Sequence, residues 1–137
     1  MWWVCRAAVA AALFGSAFQH ALQPYGHVHA IAGYQILPEW SLLTAAAFLP
    51  AFHVLLATLC LLPGGRGVGL SGAATLMLVY TIAQASALVR GLAIDCGCFG
   101  QSSAAIGAGS LVVPLVLAIT AAAAAWSGRS TAMSVTV

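Results

Sequence analysis

Two thiols one residue apart, Cys96 and Cys98 on either side of Gly97, are the most reactive pattern in this sequence. Alpha carbons joined by a disulfide usually lie about 4.4 to 6.8 Å apart. Residues i and i+2 meet that spacing only where the backbone bends, and Gly97 permits the bend because it has no beta carbon. A bridge held in so small a ring is strained, easier to reduce and more oxidising. That suits a disulfide that is handed on more than one that staples. Because the thiolate is the attacking species, neighbouring charge matters. Arg90 would favour the thiolate, and Asp95, next to Cys96, would oppose it. A fixed loop clip is the structural alternative for so short a motif.

Histidine supplies the rest of the chemistry. His53 falls in the middle of an apolar stretch, where an ionisable side chain is costly and points to function. Three residues before it, Pro50 removes a backbone donor and leaves a carbonyl one turn earlier in need of a partner. His53 is expected to help repair that gap or to reach Tyr80, Thr81 or Gln84, with a quinone or proton-relay role as the functional alternative. His27 and His29 form a His-Val-His pair in a connecting segment. If that segment shares a face with Cys96 and Cys98, two imidazoles and two thiolates would make a tetrahedral zinc or copper site. Cys5 and Cys60 read as small packing residues.

The elements that must carry these groups follow from composition. Of 137 residues only six are charged, Arg6, Arg66, Arg90 and Arg129 against Glu39 and Asp95. That is 4 % of the chain, where a soluble globular domain has about 25 %. With 63 % hydrophobic residues and a mean hydropathy of +1.05, no water-facing shell can be assembled. Four dispersed arginines without a lysine make no basic patch, which excludes a nucleic-acid partner. The expected partner is the lipid bilayer.

A helix needs about 20 apolar residues to cross a hydrocarbon core of about 30 Å. Four stretches qualify: residues 2–22, 40–62, 68–90 and 106–126. The first stops at Gln23-Pro24-Tyr25-Gly26 and the second at Pro63-Gly64-Gly65, signals that end helices. The expected fold is therefore all-α, a polytopic membrane protein built as a single four-transmembrane-helix bundle, with residues 127–137 as a flexible tail. A cleaved signal peptide is the alternative for the first stretch. Arginine is retained on the cytoplasmic face. By that rule Arg6, Arg66 and Arg129 outvote Arg90, both termini lie inside, and the Cys-Gly-Cys loop lies outside the cell membrane. Trp2, Trp3, Trp40 and Trp126 fall at span ends, where aromatic rings sit at headgroup depth.

The run Arg90-Gly-Leu-Ala-Ile-Asp95-Cys96-Gly97-Cys98-Phe99-Gly100 resembles the signature of the MauE family of methylamine-utilisation proteins, within the DoxX-like four-helix membrane proteins. Ala32-Gly33-Tyr34-Gln35-Ile36-Leu37-Pro38 and the Leu49-Pro50 kink are similar too, and the resemblance covers roughly residues 10–126. It implies a multi-pass protein that assists disulfide formation or maturation of exported proteins, beside a thioredoxin-like extracytoplasmic partner. Methylamine dehydrogenase is the namesake client. The chain departs from the pattern at Gln19-His20, where a basic residue is usual, at His53, where an acidic one is frequent, and at Gly107-Ala108-Gly109-Ser110, which replaces an arginine-containing element.

The expected function is thiol-disulfide redox chemistry through Cys96 and Cys98, tuned by Arg90 and Asp95. Two rivals stand beside it: a non-catalytic accessory subunit of a larger membrane complex, and a zinc or copper protein using His27, His29, Cys96 and Cys98.

Overall fold

The computed structural model describes residues 2–92, 94 and 109–133. Among them are five helices: α1 (Trp2–Leu22), α2 (Pro24–Gly33), α3 (Glu39–Leu61), α4 (Arg66–Val89) and α5 (Val112–Met133). α1 packs on α3, α3 on α4, α4 on α5, and α5 returns to α1, so the four long helices close a ring. α2 crosses one end of it against α3 and α1. Val9, Leu13, Leu56, Ala73, Met77 and Ala121 fill the centre. Mostly small and aliphatic, these side chains let the helix backbones approach closely, the mode of association that replaces the hydrophobic effect in lipid.

Two of the helices, α3 and α4, are long and apolar enough to cross a bilayer, and α5 adds a shorter apolar stretch, Val112–Ser127. Only 17 % of the most apolar window of α3 and 28 % of that of α4 is buried, so neither is the core helix of a water-soluble fold. Leu43, Phe48, Val68, Val79 and Ile82 point outward. Trp3, Trp40 and Trp126 are also exposed near helix ends.

The first stretch ends at Leu22 as expected, but the connection after it is helical, with Pro24 and Gly26 inside α2. Only Gln23 leaves helical geometry, at φ −129° and ψ 62°. Pro24 takes the first position of the new helix, where its missing N–H is one that no helix could satisfy. The backbone N–H of Gln23 still donates to Gln19 and that of His27 to Gln23, at 3.1 and 3.0 Å. α1 and α2 are thus joined through a single non-helical residue, at which the chain turns sharply. α2 unwinds after Gly33 through Gln35, a non-glycine residue at φ 53°.

The remaining ends follow local chemistry. Glu39 opens α3, where a carboxylate complements the helix dipole. Leu62, forced towards an extended conformation by Pro63, closes it. α4 ends in a left-handed turn at Gly91, φ 66°, with the N–H of Gly91 bonded to Leu88 and that of Leu92 to Ala87, both at 3.0 Å. This pair of bonds satisfies carbonyls that the helix leaves open. α5 starts at Val112, after a turn over residues 109–111, and residues 106–108 of the expected span lie outside the described residues. It runs on to Met133, through the first part of the stretch expected as a tail.

α3 and α4 approach most closely at Gly69. A beta carbon there would meet the backbone nitrogen of Cys60 at 2.5 Å and the carbonyl carbon of Leu59 at 2.7 Å. No side chain larger than hydrogen fits.

Candidate functional site

Three histidines from three helices meet beneath α2. His20 comes from the last turn of α1, His27 from α2 and His53 from α3, and all three are buried. The rings of His20 and His27 stack with centroids 3.7 Å apart at 26°. His53 lies 5.9 Å from His20 and 5.7 Å from the ring of Tyr80 on α4. Helical side chains lean towards the N-terminus of their own helix. In the antiparallel pair α1 and α3 this tilts His20 and His53 towards each other.

Each ring has its own setting. His53 Nδ1 lies 2.7 Å from the carbonyl oxygen of Leu49. A carbonyl only accepts, so Nδ1 carries the hydrogen and Nε2 is left as the acceptor for the Tyr80 hydroxyl, 3.4 Å away. Tyr80 is one of the partners expected for His53. His53 does not repair the gap at Pro50, since the carbonyl that Pro50 cannot serve is that of Ala46, whereas His53 bonds that of Leu49. His20 Nε2 lies 3.1 Å from the Ser16 hydroxyl, one turn back. Both ring nitrogens of His27 are buried without a hydrogen-bond partner. Burial, with His53 adding to it, holds the pKa of His27 below the ordinary 6.5 and keeps the ring neutral.

His27 and His29, expected side by side in a loop, stand two positions apart on a helix and face opposite ways. His27 is buried and His29 exposed, as a rotation of about 100° per residue requires. One site cannot take both without unwinding α2. Among the described residues, no group of three histidine, cysteine or acidic side chains is arranged to hold a metal ion.

Beside the histidines a cleft of about 260 Å³ opens between α2, the connection that follows it, the middle of α3 and α4. His20, His27 and Tyr80 line its inner end, and Ile36, Leu37 and Val79 its rim. His20 is the residue that sequence reasoning passed over, noting it only as a departure at Gln19-His20. The signal was Ser16 four residues earlier, a helical spacing that pairs the two polar side chains on one face.

Arg90 is exposed at the end of α4. Its Nη2 donates to the carbonyl oxygen of Tyr34 at 2.5 Å and its Nε to that of Ser86 at 3.3 Å. Four residues on, Ile94 packs on α2, where its Cγ2 would lie 3.1 Å from a beta carbon at Gly33. The run towards the thiol motif is therefore fastened to α2 at two points. Asp95, Cys96 and Cys98 lie outside the described residues. Cys5 and Cys60 are free thiols, Cys60 buried and Cys5 partly so.

At the far end of the bundle, Arg6 is 1 % exposed. Its guanidinium turns inward onto the last carbonyls of α3 and lies 4.4 Å from the centroid of the Trp3 ring.

No curated protein and no solved structure matches the chain. The family model described as methylamine utilisation protein MauE matches residues 1–127, and the chain therefore belongs to the MauE family.

Proposed function

We propose that this MauE-family membrane protein is a thiol-disulfide redox protein that assists disulfide formation in exported proteins, with Cys96 and Cys98 as the exchanging pair. The observation that carries the reading is the double attachment of the approach to the motif, Arg90 on the Tyr34 carbonyl and Ile94 against Gly33. Both anchors precede a pair of cysteines separated by one glycine. A thiol pair that must meet a partner benefits from a fixed base, since a freely moving loop would lose more entropy on docking.

In the proposed topology four helices cross the cell membrane, both termini are cytoplasmic, and the motif faces outward. The Cys96–Cys98 disulfide is attacked by a thiolate of a thioredoxin-like extracytoplasmic protein or of an exported client. A mixed disulfide forms, the second thiolate of the partner displaces it, and the chain leaves with two thiols while the partner gains one disulfide. Arg90 and Asp95 set the balance of thiol and thiolate.

Replacing Cys96 and Cys98 by serine, singly and together, and following disulfides in co-expressed exported proteins tests this reading. Loss of client disulfides in each variant is expected, with a trapped mixed disulfide in one single variant. Full client oxidation in the double variant would instead favour a non-catalytic subunit of a larger membrane complex, a reading supported by the outward apolar faces of α3 and α4.

A further inference from the structure

We propose that the cleft beside His27 binds the ring of a lipid-soluble quinone. Four observations lead there. First, His27 is 8 % exposed, yet neither of its ring nitrogens has a hydrogen-bond partner. A buried polar group left in that state is rare and points to a missing partner. Second, His27 lines a cleft of about 260 Å³, just below the range of roughly 300 to 1,000 Å³ typical of small-molecule sites. That volume suits one flat ring whose remaining bulk lies outside. Third, the rim residues Ile36, Leu37 and Val79 are apolar and exposed. An apolar tail leaving the cleft would run along them into lipid. Fourth, the lining is otherwise apolar apart from Tyr34, and three of its four polar side chains, His20, His27 and Tyr80, cluster together.

Their chemistry selects the ligand class. A neutral imidazole offers one N–H donor and one nitrogen acceptor. A quinone carbonyl accepts from the first, and the hydroxyl of the reduced ring donates to the second, so one histidine serves both redox states. A fatty acyl chain would leave both nitrogens unpaired.

The redox step rests on the thiol-disulfide reading given above. Two thiols of Cys96 and Cys98 are oxidised to one disulfide with loss of two electrons and two protons. The quinone takes up both and becomes the hydroquinone, each carbonyl oxygen gaining one O–H bond. The thiol pair is thereby returned to its oxidised state for the next client.

The test uses the full chain, purified and freed of endogenous quinone, titrated with decylubiquinone and with menadione. Saturable binding of at least one probe is expected, weakened at least tenfold in His27→Leu and in Ala83→Leu, which narrows the cleft from α4. The Cys96→Ser, Cys98→Ser double variant is expected to bind as the wild type does but to leave the quinone oxidised. Absence of saturable binding, wild-type binding in the two cleft variants, or a stoichiometric zinc or copper ion lost in His27→Leu would each overturn the proposal. Client oxidation driven by a soluble oxidant in a protein that binds no quinone would remove the quinone and leave the thiol-disulfide function standing. Quinone binding together with full client oxidation in the double cysteine variant would do the reverse.

Discussion

The guanidinium of Arg6 closes on the carbonyl oxygen of Cys60, with Nη2 at 2.6 Å and Nε at 2.9 Å, while Nη2 also reaches Leu61 at 3.1 Å. The first turn of α1 thereby caps the last turn of α3, where carbonyls lack helical partners and the helix dipole is negative. Arg6→Leu is expected to lower stability by about 2 to 3 kcal/mol, the scale of a charged hydrogen bond plus unpaired carbonyls. Arg6→Lys keeps the charge but not the planar fork, and recovers part of the loss. Thermal unfolding in detergent measures both. A wild-type midpoint for Arg6→Leu would show that the cap contributes nothing.

Gly69 and Gly67 lie two residues apart on α4 and should respond in opposite ways. A methyl group at Gly69 runs into the backbone of Cys60 and Leu59, whereas nothing stands within 4 Å of one at Gly67. Gly69→Ala is expected to part α3 from α4 at a cost of about 1 to 3 kcal/mol. Gly67→Ala is expected to be neutral or to stabilise by up to about 1 kcal/mol, from helix propensity alone. Equal midpoints for the two variants would contradict the close approach.

Arg90→Ala removes the bond to the Tyr34 carbonyl at the end of α2. Faster amide hydrogen exchange is expected over residues 31–35, with α1 and α5 unchanged. Exchange confined to the end of α4 would mean that Arg90 does not hold α2.

Acid should weaken the α2 end of the bundle. His27 has its pKa lowered from 6.5 by burial, so below about that pH the unfolded chain binds a proton that the fold refuses. The contribution of His27 is therefore neutral above 6.5 and turns against the fold as the pH falls below it, until the folded state takes up the proton. His20 from α1, His53 from α3 and Tyr80 from α4 are the titratable groups gathered in the same cluster. Between pH 7.5 and 5.5, His27→Phe should lose less stability than the wild type. Parallel losses would contradict the assignment.

Much of the fold was legible because the chain punctuates itself. Pro63-Gly64-Gly65 ends α3, and the apolar stretches before and after it become α3 and α4. Pro24 was ambiguous, because proline both stops one helix and opens another, and only the packing of α2 on α3 decides between the two. Charge counting placed Arg6 at an edge. It had no means of seeing the carbonyls of Cys60 and Leu61, which are brought alongside by the fold. The histidines illustrate the same limit: Tyr80 was within reach of a depth argument for His53, whereas the stacking of His20 on His27 depends on the kink at Gln23.

That kink gives the α2 end a particular mechanics. Gln23 is a pivot, α2 is a short arm turning on it, and the stacked rings of His20 and His27 act as its brake. The arm ends at the Tyr34 carbonyl, gripped by Arg90. A shift of α2 about Gln23 would separate the stacked rings and strain the Arg90 bond at the end of α4 together.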